Sequence, residues 1–338
     1  MELDQRKQKI LRAVVNTYIV TGEPVGSKAL LAREQLNVSS ATVRNEMNDL
    51  EKLGYLAKTH TSSGRVPSNE GFRYYVTTSL PSYDLTGEEL NILSPDFGSC
   101  ANLDDAMQRT VSAIAEFSGC AVFGLSAMCD DGCFLFDVAA ARSRSLVIMA
   151  EATTGAVKSR FVRIKRPLSA DTLNVFTRIL NKTLSGFSVS QVGAVRLMLL
   201  EKELRAFCPQ CLFLLPEVKS FIEELKRLDL HVSGAANLLS YPEFANVETA
   251  RAFIKLLDSP ERIVEALSGD IFTNGISIKI GAENKIFDSP KASMISISST
   301  YRIPTVFGIM GPTRMDYSRL IAGCSHILSS LWRTIDNL

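Results

Sequence analysis

Ser39, Ser40, Thr42, Arg44, Asn45, Asn48 and Lys52 fall within one short stretch, on a spacing that collects Arg44, Asn45, Asn48 and Lys52 on one side of a helix. None of these residues forms a nucleophile–base pair or a metal-ligand set. They are hydrogen-bond donors, amides and small hydroxyls. Arginine offers two parallel donors to guanine, and asparagine pairs bidentately with adenine. Serine and threonine at a helix start can hold phosphates, aided by the helix dipole. The chemistry is recognition of double-stranded nucleic acid; a plain solvated helix face is the alternative reading of the same row. Downstream, His60 and Arg65 flank the small polar tip Thr61-Ser62-Ser63-Gly64. Arg65 is expected to leave a flexible tip and touch a phosphate or a minor groove. His60 is expected to reach a phosphate or solvent.

The elements that must position these side chains are legible around them. Ser39 and Ser40 are N-cap residues. Val43, Met47, Leu50 and Gly54 fall on the opposite side of the helix, with Leu53 at the edge. Gly54 stops the helix. Tyr55 to His60 and Arg65 to Pro67 can pair across the tip as a hairpin. Ser27 caps a short preceding helix, Lys28 to Arg33, and Leu36-Asn37-Val38 turns between the two. Ile10, Leu11, Val14, Val15 and Tyr18 mark a longer helix upstream. Three helices and a hairpin predict a winged helix-turn-helix, whose second motif helix enters a major groove.

Three blocks carry a family resemblance. Ser39 to Met47, Leu50 to Tyr55 and His60 to Pro67 form the first. Gly311-Pro312-Thr313-Arg314-Met315-Asp316-Tyr317 is the second, and Asn237-Leu238-Leu239 with Pro242-Glu243-Phe244 the third. Together they resemble the bacterial heat-inducible transcription repressor family HrcA. The stretch from about Ala101 to Leu230 matches in pattern only. The resemblance implies a GAF-like domain with an inserted dimerisation domain, an inverted-repeat operator upstream of chaperone operons, and the chaperonin as modulating partner.

Composition sets bounds. The chain has 338 residues, enough for two or three domains, with 46% hydrophobic and 22% charged residues. Net charge is +1, but residues 1–80 hold 11 Lys/Arg against 8 Asp/Glu, and the remainder 26 against 28. The basic surplus lies in the helix–hairpin segment and is small, so non-specific DNA affinity should be modest and salt-sensitive. No apolar run is long enough for a membrane span, and the charged N-terminus lacks a signal-peptide core. Seven scattered cysteines suggest reduced thiols, and a cytoplasmic protein is expected.

Further along, Phe72 to Val76 is aromatic and should pack the hairpin against the first helix. Leu80 to Ser99 has linker chemistry, rich in Pro, Ser and Gly, with room for one turn of helix. Leu103 to Phe117 reads as a helix and Ala121 to Leu125 as a buried strand. Phe134 to Ala141, Leu146 to Ala152 and Val157 to Ile164 predict an antiparallel meander. Asp171 to Leu184, Val189 to Phe207 and Glu217 to Leu228 read as helices. The middle one is apolar on more than one face (Val195, Leu197, Met198, Leu199, Leu200, Leu204), which fits a core or a subunit interface. Helices follow at Val247 to Leu257 and Glu261 to Leu267, then strands at Ile276 to Ile280, Met294 to Ser299 and Thr305 to Met310. Gly311-Pro312 should break the last strand, and Thr313 should cap a long helix to about Ile335. The pattern predicts an α+β class with a winged helix over residues 1–80, and it supports an insertion; the resemblance implies that 100–128 and 231–338 form a GAF-like domain and that 129–230, antiparallel sheet plus helices, is an inserted dimerisation domain.

The chain gives little support to an enzyme. His60 is the one histidine in a motif; His231 and His326 stand apart. Cys208-Pro209-Gln210-Cys211 and the looser Cys129/Cys133 pair could make a zinc site only if they met; buried core thiols fit better. Gly281-Ala282-Glu283-Asn284 could line a ligand pocket or be an ordinary turn. No Walker loop, dinucleotide fingerprint or nucleophile elbow occurs, and no cofactor or metal is expected. The expectation is a homodimeric, sequence-specific repressor of chaperone operons bound to double-stranded DNA. The alternatives are a winged-helix regulator of other genes with a small-molecule-sensing C-terminal domain, and a thiol-dependent enzyme or zinc protein.

Overall fold

The structure, a computed structural model, describes residues 3–33, 38–58, 64–100, 102–127, 134–142, 144–152, 157–187, 191–287, 289, 291–301 and 303–335. It is a mixed helix-and-sheet molecule with antiparallel sheets, of the α+β class.

The N-terminal head begins with α1 (Gln5–Thr21), capped by Asp4 and ended by Gly22 in the left-handed conformation, φ 68°. α2 (Ser27–Arg33) and α3 (Ser40–Lys52) follow, then β1 (Leu56–Lys58) and β2 (Arg65–Pro67), paired antiparallel from Leu56↔Pro67 to Lys58↔Arg65. Val43, Met47 and Leu50 of α3 are buried against Ile10, Leu11 and Val14 of α1, as their periodicity requires. The aromatic run belongs to a further helix, α4 (Asn69–Thr78). Its Phe72 is buried, and the Tyr75 hydroxyl donates to Asn16 Oδ1 at 2.8 Å. Gly71 is needed here, because a Cβ would overlap the Tyr55 carbonyl oxygen.

The segment expected as a linker is not a free tether. It carries α5 (Gly87–Ile92), closed by a capping box between Thr86 and Glu89, and it buries Leu93 and Phe97. Pro and Gly here mark turns of a packed strap.

The body is built on a sheet of five strands in the order β7-β3-β10-β9-β8 among the described residues. α6 (Leu103–Ser118) leads into β3 (Ala121–Ser126). β3 is buried throughout because both faces are covered. Val122 faces the cluster containing α6, while Ala121, Phe123 and Leu125 face the opposite one. This alternation puts helices on both faces of the sheet, which is why β3 reads as a continuous apolar run.

Between β3 and β7 the chain makes a separate unit. β4 (Phe134–Arg142), β5 (Ser145–Ala152) and β6 (Val157–Arg163) form the expected meander in the order β4-β5-β6. α7 (Ala170–Leu184), α8 (Ala194–Phe207) and α9 (Leu215–Leu225) pack with it. Its buried apolar residues, from Phe134 to Leu225, form a core of their own. Asn181 stitches sheet to helix: its amide donates to the Phe136 carbonyl at 2.7 Å and its Oδ1 accepts from the Phe136 N–H at 2.7 Å.

β7 (Asp229–Ser233) returns to the main sheet beside β3. The sequence reading has no strand there: five residues with polar ends carry little periodicity, and pairing along β3 fixes them. α10 (Val247–Leu257), α11 (Pro260–Ile271), β8 (Gly275–Ile280), β9 (Ala292–Ser299), β10 (Thr305–Pro312) and α12 (Tyr317–Ile335) complete the chain. Two local expectations fail. β10 continues through Gly311 and Pro312, which pair with Ser293 and Ala292 of β9; beyond Met310 the strand has a partner on one side only, where proline is tolerated. The cap of α12 is Asp316, whose Oδ1 accepts from the Arg319 N–H at 3.0 Å, and not Thr313.

Candidate nucleic-acid interface

Ser39 caps α3 by accepting from the Thr42 N–H at 3.1 Å, and its hydroxyl shares a 2.9 Å hydrogen bond with that of Thr42. The Ser40 hydroxyl shares a 3.1 Å hydrogen bond with Ser27, the first residue of α2. The starts of α2 and α3 therefore meet, and neither first turn holds a carboxylate. Their uncompensated dipole ends make the spot favourable for an anion.

Arg44 and Asn45 are adjacent, exposed, and make no hydrogen bond or ion pair among the described residues. α3 is steadied from behind. Lys7 of α1 binds Glu46 at 2.9 Å, and that contact, with Asp4, raises the lysine pKa above its usual range. Asn48 and Lys52 differ from Arg44 and Asn45. Lys52 pairs with Asp49 at 3.3 Å, and Asn48 is half-buried with its Oδ1 engaged.

The partner of Asn48 is Arg65, and here the geometry corrects the expectation. Arg65 does not leave a flexible tip. It is 6% exposed, donating from Nε to Glu51 Oε2 at 2.6 Å and from Nη2 to Asn48 Oδ1 at 2.8 Å. Its backbone is locked as well: its N–H donates to the Val25 carbonyl at 2.9 Å, and its carbonyl accepts from the Val25 N–H at 2.8 Å. The guanidinium thus ties β2 to the exit of α3. The pairing crosses 14 and 17 residues, so helical periodicity could not reveal it. Glu51 was the available signal, a carboxylate at the helix exit facing Lys58 at 3.6 Å as well as Arg65. His60 lies outside the described residues.

The head is seated on the body by residues of the other two sequence blocks. Phe72 lies 6.2 Å from the Tyr18 ring and 6.4 Å from the Tyr317 ring. Tyr317 is fully buried, its hydroxyl donating to the Thr313 carbonyl at 2.7 Å. Arg314 donates to Glu243 Oε1 at 2.5 Å and packs beside Gly22 at the end of α1. Arg73 of α4 grips Glu283 and donates to the Ile278 carbonyl at 2.5 Å.

Residues 104–321 match the HrcA protein C-terminal domain. The chain is 34% identical to the heat-inducible transcription repressor HrcA of Moorella thermoacetica, covering 100% of this chain and 99% of that protein. It is 31% identical to the namesake from Acetivibrio thermocellus, covering 100% and 98%. The chain belongs to the HrcA family. This is a family of heat-inducible transcription repressors and not of enzymes. A crystal structure of a hypothetical protein shares the fold over 99% of both chains, with TM-score 0.68 at 22% identity. Among the described residues no helix is long and apolar enough to cross a membrane.

Proposed function

We propose that this HrcA-family chain is a dimeric repressor whose residues 1–80 form a winged helix-turn-helix reading an inverted-repeat operator upstream of chaperone operons. α2 and α3 are the helix-turn-helix, and β1 with β2 is the wing. Ser40 to Asn48 enters the major groove. Arg44 and Asn45 meet base edges, while Ser39, Ser40, Thr42 and Lys52 hold or frame backbone phosphates. His60 belongs to the wing tip, against the backbone or a minor groove. Arg65 and Asn48 act one step back by fixing the wing to the reading helix.

The observation that carries this reading is the pair Arg44 and Asn45, exposed and without a partner among the described residues, on a helix whose opposite face is buried and whose cap is intact. Residues 100–128 and 231–338 are the GAF-like domain, and 129–230 the inserted dimerisation domain. The separate core of residues 134–225 supports the division. The outer face of α8 supports the dimer: Val195 is 80% and Met198 71% exposed, and the two are neighbours one turn apart on the helix. Two-fold symmetry then matches an inverted repeat. The chaperonin modulates the active fraction by assisting folding of this chain, whose inserted unit has a core of its own.

The deciding experiment selects bound duplexes from a random pool with the full chain and sequences them. Recovery of one inverted repeat, also found upstream of chaperone genes, is the expected result. Recovery of unrelated or half-site sequences would reject the operator and dimer assignment.

A further inference from the structure

On the side of the main sheet away from α6, a cleft of about 590 Å³ opens between α11, β8, β9 and the turn after β8. That volume lies within the range of small-molecule sites. Asn284 stands in its wall, 2% exposed, with neither its amide nitrogen nor its carbonyl oxygen hydrogen-bonded among the described residues. A buried amide with both ends unpaired is costly, and such groups usually meet a partner.

The charges around it divide in an informative way. Lys279 is committed to Asp270 at 3.1 Å, and Glu283 to Arg73. Arg262 spends one N–H on the Ile286 carbonyl at 3.3 Å and keeps its other donors. Lys285 and Glu265 have no partner among the described residues. The cleft therefore presents two available cations, one available carboxylate and one buried amide. A simple anion would satisfy the cations and leave Glu265 and Asn284 unanswered. A zwitterion answers all four.

We propose that this cleft binds a free amino acid with a polar side chain. The α-carboxylate meets Arg262 and Lys285, the ammonium meets Glu265, and the side chain meets the Asn284 amide as it turns into the cleft. Occupancy is felt in the head through one turn, Gly281 to Glu283. Glu283 holds Arg73 of α4, and Gly281, at φ 55°, sits so tightly on Asn69 that a Cβ there would overlap it.

The test titrates the full chain by calorimetry with the proteinogenic amino acids one at a time, with sodium acetate and inorganic phosphate as controls. The expected result is saturable binding of one or more of aspartate, asparagine, glutamate and glutamine, weakened about tenfold or more by Arg262→Gln and by Glu265→Gln, the loss of a charge-assisted hydrogen bond. Both substitutions lie at exposed positions and leave the fold in place, which melting curves will verify. With the bound amino acid, hydrogen exchange in α4 should slow, and Arg73→Ala should abolish that slowing without abolishing binding. No heat from any amino acid, acetate or phosphate binding as tightly, or indifference to Glu265→Gln would overturn the site. Binding with unchanged exchange in α4 would overturn its link to the head.

Discussion

Arg44 and Arg65 are both arginines of the head, yet burial assigns them opposite work. Arg44 is exposed and has no partner among the described residues, whereas the Arg65 guanidinium is shielded and held by Glu51 and Asn48. Arg44→Ala or Asn45→Ala should leave the melting temperature unchanged, because neither touches the buried face. Each should cost about 1–3 kcal/mol of operator affinity, confined to one position per half-site. Binding assays on operators mutated base by base will read this; equal weakening on unrelated DNA would make the side chain a phosphate contact. Arg65→Ala should instead lower stability by roughly 1.5–3 kcal/mol, the worth of a hydrogen bond to a charged group. Its effect on the log–log salt slope should stay well below the roughly one unit expected for a lost phosphate contact. A full unit of slope at unchanged stability would return Arg65 to the DNA surface.

At the scale of elements, one carboxylate is a main anchor of the strap from Leu80 to Ser99, beside buried Leu93 and Phe97. Glu89 accepts from the Thr86 N–H at 2.9 Å, the Tyr83 hydroxyl at 3.1 Å and Arg319 Nε of α12 at 2.5 Å. The Thr86 N–H is the strongest influence and Arg319 adds to it, drawing the Glu89 pKa down from 4.5 to about 2. A carboxylate favoured in the folded state stabilises above its unfolded pKa and stops doing so as the pH falls through its folded one. Glu89→Gln should therefore melt below the wild type at neutral pH, and the gap should narrow as the pH is lowered from 4.5 towards 2. Melting curves across that window will decide it, and a gap independent of pH would show that Glu89 acts through shape alone.

For the whole molecule, the exposed apolar residues of α8 and the separate core of the inserted unit set the expectations. Val195→Glu with Met198→Glu places charges on a surface that is 80% and 71% exposed in the single chain, so the fold should survive. Association should weaken by tenfold or more in sedimentation equilibrium, given about 1.4 kcal/mol per factor of ten. An unchanged dimer would move the interface elsewhere, for instance to the face of β6 that exposes Phe161. Denatured chain diluted with chaperonin and ATP should yield more operator-competent dimer than chain diluted alone. Equal yields at growth and heat-shock temperatures would remove the chaperonin from the account.

The local signals in the sequence determined the capped helix α3, its buried Val43/Met47/Leu50 face, the meander from Phe134 and the long apolar strands of the main sheet. Each rests on spacing or capping within a few residues, which the chain carries wherever it folds. Tertiary structure decided what those signals do not encode. Arg65 of β2 is drawn onto α3 by Glu51 and Asn48, 14 and 17 residues away, and Arg73 finds Glu283 across 210 residues. β7 exists because β3 offers it an edge, and the strap is packed because Leu93 and Phe97 are buried and Arg319 reaches Glu89. A side chain's periodicity says which way it faces; whether it then meets water, DNA or a distant carboxylate depends on which remote segment the fold brings to that face.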